Sequence, residues 1–290
     1  MIGIAGRWSD VANTNYLWAM TSTLPPRDWT DMSWPDLAGA DCARWIAVLP
    51  LAATEQHGPH LPLGTDVMIA QAYLARVREL LPDTMPVTFL PIQPVGISSE
   101  HLDFPGTLTL PPETALKSWM ALGESVARAG LKKLVMVTSH GGNVAAMSLV
   151  AQELRAHQGM LAVTTSWARL SSPEALFSAE EVSHGIHGGA VETSIMLARH
   201  GDEVRRETIA DFRPSTIAMT KDFQRLSAQR PAPFAWQTQD LHPSGAVGDA
   251  TQASAEKGER LIDQGAQAFC ELLADVDRFD MQTLSNLPKA

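Results

Sequence analysis

The sequence predicts an α/β fold, a three-layer sandwich in which helices flank a mostly parallel central sheet. Short, continuous apolar runs alternate along the chain with longer segments whose apolar residues recur at helical spacing. Strands that are apolar on both faces are typical of a parallel sheet covered on each side. With 45% hydrophobic and 19% charged residues over 290 positions, the chain can bury a large core.

The chain divides into an N-terminal arm and one domain. Residues 1–43 are rich in Trp, Pro, Asp and Thr without a sustained period, which predicts an irregular arm with a short helix over 34–40. Residues 44–290 are predicted to form a single α/β domain. Its apolar runs predict strands over 45–53, 87–91, 131–140 and 161–167.

Helical spacing accounts for the segments between these strands. It predicts helices over 66–81, 111–129, 144–158, 195–198 and 254–279, with Gly159 ending the third of them. Alternating strands and helices form βαβ units with right-handed crossovers, which place a ligand at the carboxyl edge of the sheet. Residues 205–250 are polar and irregular and are predicted to wrap the body.

The formal net charge of -10 disfavours nucleic acid and anionic membranes as partners, because both repel an acidic surface. No apolar run approaches the roughly 18 residues of a membrane span, and the first residues do not resemble a signal peptide. The prediction is a cytoplasmic protein with a small-molecule substrate and no membrane partner. Cys42 and Cys270 form no metal or redox motif and are interpreted as ordinary thiols.

Histidines cluster in a few loops. The first such loop follows the first predicted strand and contains Glu55 and His57, with Asp66 at the start of the next helix. Residues two apart on an extended segment point to one side, so Glu55 and His57 can reach a common point that Asp66 joins across the loop. Carboxylate and imidazole groups suit Zn, Mn or Fe. The alternative is a polar loop in which Asp66 only caps a helix.

Two further loops have the same character. His140 follows another predicted strand in the string SHGGN, where glycines permit close backbone approach to a ligand. Taken alone, this string slightly favours the alternative of a helix-capping Asn143 after a flexible turn. His187 precedes two glycines and Glu192, whose carboxylate would lie in the first turns of a helix, where the macrodipole favours negative charge. A purely structural Glu192 fits as well, but leaves His184 and His187 unexplained. The spacing is not GxGxxG, and HEXXH, P-loop and GxSxG motifs are absent.

Four strings in order, LAATEQHGPHLPLGTD, EHLDFPGT, SHGGN and HGGAVETS, resemble the creatininase (creatinine amidohydrolase) family over about residues 46–275. The resemblance implies a single-domain α/β fold, a centre of two divalent metal ions and hydrolysis of an amide-like C–N bond. By matching position it implies the metal ligands Glu55, His57, Asp66 and His140, with Asp66 bridging two ions, and a catalytic His187. It also implies a homo-oligomer, such as a hexamer.

The sequence departs from creatininase itself on the substrate side. Gly142 stands where that enzyme has a carboxylate ligand, and we expect Glu192 to replace it as ligand or as a catalytic group. Ile186 replaces an acidic residue and Ser183 a tryptophan, while the SHGGN string is similar to relatives that deformylate a formamidopyrimidine nucleotide or trim a peptide precursor. The predicted substrate-binding residues are Ser98, His101, Gly141, Trp167, which lies near a substrate-stacking position, and Gly188.

The leading hypothesis is a metal-dependent amidohydrolase that cleaves a small cyclic amide or formamide other than creatinine by a metal-bound hydroxide. Two ions about 3.5 Å apart would lower the pKa of a shared water towards 7. His187 would then protonate the leaving nitrogen. The alternatives are a non-catalytic metal-binding or scaffold protein and a peptide-precursor-trimming metallopeptidase. A nucleotide-dependent enzyme is disfavoured because no phosphate-binding glycine loop is present.

Overall fold

A computed structural model describes residues 24–284 of the chain. Its central sheet has four parallel strands in the order β2-β1-β3-β4. They are β1 (Ile46–Leu51), β2 (Val87–Phe89), β3 (Lys133–Thr138) and β4 (Leu161–Ser166). All four predicted strands and their parallel pairing are confirmed.

The strand order creates a switch point between β1 and β3. From β1 the chain moves to one side to form β2, and then crosses to the other side of β1 to form β3 and β4. The loops that follow β1 and β3 therefore diverge and leave a crevice at the carboxyl edge of the sheet, the usual place for a ligand in such folds.

Helices cover both faces of the sheet, as the sequence predicts. Their bounds are α1 (Trp34–Ala38), α2 (Thr65–Leu80), α3 (Pro112–Arg128), α4 (Val144–Gln158), α5 (Trp167–Leu170), α6 (Ala179–His184), α7 (Ala190–Arg199), α8 (Thr216–Met219), α9 (Thr238–Leu241) and α10 (Ala255–Arg278). Gly159 follows α4 with a φ of 65°, the left-handed conformation expected of the residue that ends it.

The strand pleat divides the core into two layers. Ile46 and Val48 of β1 pack with α2, α7 and α10 on one face, while Ala47 and Leu49 pack with α3 and α4 on the other. Successive side chains of a strand point to opposite faces, so the continuous apolar run of β1 is required to cover both. The three-layer sandwich is confirmed.

Residues 1–23 of the predicted arm lie outside the described residues. From Leu24 onward the arm packs on the body. Asp28 forms a bridge with Phe89, the last residue of β2. Trp29 and Leu37 contact the core beneath α3 and α4. Among residues 24–284, no helix has the length and apolar character needed to cross a bilayer.

Residues 205–250 are mostly irregular, as predicted, but two short ladders order them. Strand β5 (Asp211–Phe212) pairs antiparallel with β8 (Gly248–Asp249), and β6 (Leu226–Ser227) pairs with β7 (Ala232–Pro233). The segment brings Gln229 and Trp236 to the carboxyl edge of the sheet.

The position of α10 against α7 gives a test of the packing. Replacing a glycine with alanine at an ordinary position in a helix stabilises a protein by up to about 1 kcal/mol. At Gly258 a Cβ would lie 2.0 Å from the carbonyl oxygen of Ser194, a backbone atom of α7. We expect Gly258→Ala to lower the free energy of unfolding by about 1 to 3 kcal/mol, measured by urea denaturation.

The matched control is Gln267→Ala on the exposed face of α10, which should change stability by less than about 0.5 kcal/mol. If Gly258→Ala were as stable as the unmodified chain, the close approach of α10 to α7 would be wrong.

Candidate metal centre

Three acidic and basic side chains meet at the crevice between β1 and β3. Glu55 and His57 lie on the loop after β1, and Asp66 lies in the first turn of α2. Glu55 is 0% exposed, and His57 and Asp66 are each 1% exposed. Removing two carboxylates from water is costly unless a positive charge compensates them, and no lysine or arginine of the described chain forms an ion pair with either.

Four polar side-chain atoms of these residues lack hydrogen-bond partners. Both carboxylate oxygens of Glu55, Nε2 of His57 and Oδ2 of Asp66 are buried without one. His57 Nε2 lies 4.0 Å from Oε1 of Glu55, 3.9 Å from Oδ1 of Asp66 and 3.9 Å from Oε2 of Glu192. Atoms that bind one cation at about 2.0 to 2.3 Å stand within twice that distance of one another. The group therefore fits a divalent metal ion.

Backbone carbonyls orient three histidine rings toward this point. The carbonyl oxygens of Glu55, Ile97 and Gln56 accept hydrogen bonds from the rings, at 3.0 Å from His57 Nδ1, 2.7 Å from His140 Nε2 and 2.5 Å from His187 Nε2. A carbonyl only accepts, so these nitrogens carry the proton and the opposite nitrogens face the carboxylates. Metal-binding histidines are held in this way.

His140 shows that a positive charge is favoured here. Its Nδ1 lies 3.1 Å from Oε1 of Glu55 and 3.6 Å from Oδ2 of Asp66. Burial alone would lower the pKa of His140, but the charges of Glu55, Asp66 and Glu100 raise it to about 10. In contrast, burial and the neighbouring His57 lower the pKa of His187 to about 4. A bound cation would meet the same demand for positive charge beside Glu55 and Asp66.

His101 differs from the other three histidines. The side chain of Gln56 accepts from Gly58 N–H through Oε1 and donates through Nε2 to the Gly245 carbonyl, which fixes its orientation. The same Nε2 donates to Nδ1 of His101 at 2.7 Å. His101 therefore carries its proton on Nε2, 3.3 Å from Oε1 of Glu55, and presents a donor rather than a lone pair.

Glu192 joins the group from the first turn of α7. Its Oε2 accepts the Gly188 N–H at 2.6 Å, which directs the carboxylate back toward His57. Gly188 has a φ of 60°, so this bend of the chain requires glycine. The structure brings Glu192 to the predicted ligands.

Glu181 holds the bend that carries His187. It is buried, and its carboxylate accepts the N–H groups of Ala190 at 2.7 Å and Asp249 at 2.6 Å. A Cβ on Gly189 would lie 2.5 Å from Oε1 of Glu181, so the second glycine is needed for this contact. Sequence analysis missed Glu181, because a glutamate in the first turn of a helix is common and signals nothing further.

A cavity of about 500 Å³ opens over these groups. Of the predicted substrate-binding residues, His101 and Gly141 line it, and a Cβ on Gly141 would meet nothing within 4 Å. Ser98 and Gly188 are not on its wall; Ser98 is fully buried.

The expectation that Trp167 stacks on substrate is wrong. Its indole is 2% exposed, stacks on Tyr73 with ring centroids 4.5 Å apart, and meets the edge of Phe269 at 5.0 Å. The Trp167 ring therefore belongs to the apolar core that α2 and α10 cover. Trp236, which the sequence did not single out, lines the cavity instead, together with Glu100 and Gln229.

Comparisons with known proteins identify the family of this chain. A family model described as creatinine amidohydrolase matches residues 30–273. The chain belongs to the creatininase family. It is 30% identical over 219 residues to the mycofactocin precursor peptide peptidase of Mycolicibacterium smegmatis, covering 75% of this chain and 79% of that one.

The chain is also 27% identical over 266 residues to the creatinine amidohydrolase of Pseudomonas putida, covering 84% and 95% of the two chains. A solved mutant creatininase of Zn-Zn type superposes with a TM-score of 0.66 at 25% identity, covering 88% of this chain and 100% of that one. This creatininase-family protein is a metal-dependent hydrolase that acts on amide bonds, and its cofactor is a divalent metal.

The donor set predicts which substitutions release metal. Glu55→Gln and His57→Ala each remove a donor from the group, and loss of such a donor should lower metal affinity by at least about tenfold to a hundredfold. We expect little metal in either purified variant by elemental analysis after gel filtration.

Glu100→Gln is the control, because Glu100 lines the same cavity but does not belong to the group formed by Glu55, His57 and Asp66. It should retain the metal content of the unmodified chain. Full metal content in Glu55→Gln would contradict the site.

Proposed function

We propose that this chain hydrolyses an amide bond in a peptide-like substrate larger than creatinine, using two divalent metal ions. The observation that carries the proposal is the convergence of orphaned carboxylate and imidazole atoms on the wall of a cavity of about 500 Å³. Such volumes hold drug-sized ligands, whereas creatinine is a single five-membered ring.

Five residues are proposed as the metal ligands: Glu55, His57, Asp66, His140 and Glu192. Asp66 is the proposed bridge, because one oxygen faces His57 at 3.9 Å and the other faces His140 at 3.6 Å. Zn, Mn and Fe are each compatible with carboxylate and imidazole ligands. When bound, two such ions polarise a substrate carbonyl and lower the pKa of a water molecule.

His187 is the proposed proton carrier. Its Nε2–H is held by the Gln56 carbonyl, so its Nδ1 lone pair faces the cavity side of Glu55 at 3.7 Å. That nitrogen can accept a proton from the attacking water and return it to the departing nitrogen, which leaves poorly unless protonated. Glu192 lies 3.9 Å from His57 and is proposed as a ligand that also has a catalytic role.

The peptide-like class is supported by the relative of 30% identity, which is a peptidase acting on a precursor peptide. Gly141 adds no side chain to the cavity wall, and a Cβ there would meet nothing within 4 Å, which leaves room for a backbone segment. Small cyclic amides and formamides are the alternative substrates. We also propose that the chain forms a homo-oligomer, such as a hexamer, in the cytoplasm. Size-exclusion chromatography with light scattering tests the assembly.

Creatinine should be a poor substrate. A single small ring fills little of a cavity of about 500 Å³, and Ile186 offers it no hydrogen-bonding side chain, so its differential binding is weak. We expect kcat/KM for creatinine below about 10⁴ M⁻¹s⁻¹ with Mn- or Zn-loaded protein, and faster hydrolysis of at least one short peptide in a panel that includes lactams and formamides.

Glu55→Gln measured on the same panel is the control for contaminating hydrolases, since it should lose all turnover. A creatinine value at or above about 10⁴ M⁻¹s⁻¹ would make creatinine the substrate. A metal-loaded chain that turns over no amide in the panel would favour the scaffold alternative.

Two histidine variants separate the proposed roles. His187→Ala should retain metal but lose about two to four orders of magnitude in turnover, as expected when a general acid or base is removed. His140→Ala should release metal, because its Nδ1 lies against both Glu55 and Asp66. Equal metal loss in the two variants would instead make His187 a ligand.

A further inference from the structure

Glu100 lies on the cavity wall beside the metal centre and has no role so far. It belongs to the short turn Ser99–His101, and its side chain is 20% exposed. Its Oε1 lies 3.6 Å from Nε2 of His140. That nitrogen already donates to the Ile97 carbonyl, so Glu100 approaches the ring on the opposite side from Glu55 and Asp66.

Within the described chain, Glu100 has one basic neighbour within ion-pair distance, His140, which also faces Glu55 and Asp66. No lysine or arginine in the described part of the chain lines the cavity. Once Glu55, Asp66 and Glu192 hold metal, Glu100 is the carboxylate on the wall without a cation, and such a group favours a positively charged partner.

Gly142 gives Glu100 its place. A Cβ on Gly142 would lie 2.8 Å from Oε1 of Glu100 and 2.3 Å from the Ile97 carbonyl oxygen. A side chain at position 142 would therefore compete with the Glu100 carboxylate for the same space. Because residue 142 is glycine, this space is left to the Glu100 carboxylate.

Trp236 supplies an aromatic surface to the same cavity. Its Nε1–H donates to the Ala228 carbonyl at 3.0 Å, which fixes the ring. Two residues further on, the Thr238 hydroxyl oxygen lies 2.9 Å from the carbonyl oxygen of Glu100 and 2.7 Å from Nδ1 of His101, which ties the segment of Trp236 to the turn of Glu100. A carboxylate and an indole on the wall of one cavity are suited to an ammonium or guanidinium group.

We propose that Glu100 and Trp236 form a subsite that binds a positively charged group of the substrate, an ammonium or guanidinium, next to the bond that is cleaved. The inference rests on the proposed function, because the charged group must belong to the molecule whose amide bond reaches the metal centre. It narrows the substrate class to peptides or amides that carry a basic group.

Binding of two matched probes tests the subsite without requiring turnover. N-acetyl-lysine methylamide carries an ammonium, and N-acetyl-norleucine methylamide has a similar side chain without it. By calorimetry on the full metal-loaded chain, the lysine probe should bind at least about tenfold more tightly. Glu100→Gln should bring the two affinities within about twofold, and Trp236→Leu should reduce the difference.

Glu113→Gln is the matched control, since it removes the same charge from an exposed position at the start of α3 and should keep the preference. Circular dichroism and metal content should match the unmodified chain in every variant. If Glu100→Gln did not fold, Trp236→Leu and the two probes on the unmodified chain would still decide the question.

The outcomes separate this inference from the proposed function. Equal binding of the two probes by the unmodified chain, or an unchanged preference in Glu100→Gln, would overturn the subsite even if peptides are hydrolysed. A lysine preference that Glu100→Gln abolishes, in a chain that hydrolyses no peptide or amide, would support the subsite and reject the proposed function.

Discussion

The main constraint on this structure is the burial of two carboxylates, those of Glu55 and Asp66, at one point. Glu55 and Asp66 are almost fully excluded from water, and the lone pairs of His57 and His187 face the same carboxylates. No lysine or arginine of the described chain offsets them. Burying these carboxylates is unfavourable unless cations bind between them. The neighbouring hydrogen bonds hold the carboxylates and rings in the orientation that a cation requires.

Those hydrogen bonds come from parts of the chain with no chemistry of their own. Gln56 is held by the backbone of Gly58 and Gly245 and sets the tautomer of His101, whose proton then faces Glu55. Glu181 performs a similar task for the bend before α7. Positioning therefore extends well beyond the residues that could touch a metal, and a change at these places would misalign the donors without removing any of them.

The sequence predicts the sheet, the long helices and the residues that converge on the metal centre, because buried parallel strands are continuous apolar runs and their loops meet at one edge. The sequence does not predict whether a tryptophan ring packs in the core or lines the cavity. Trp167 follows β4 directly, yet it packs on Tyr73, while Trp236 reaches the cavity from a segment with no periodicity. Glu100 carries no sequence signal of its own, because a glutamate in a polar loop is common.

The donors come from distant parts of the chain: a loop after β1, the start of α2, a loop after β3 and the start of α7. A cation shared among the proposed ligands would act as a cross-link that joins the sheet to two helices and closes long loops of chain. Metal binding would then also hold the start of α7 against this edge of the sheet.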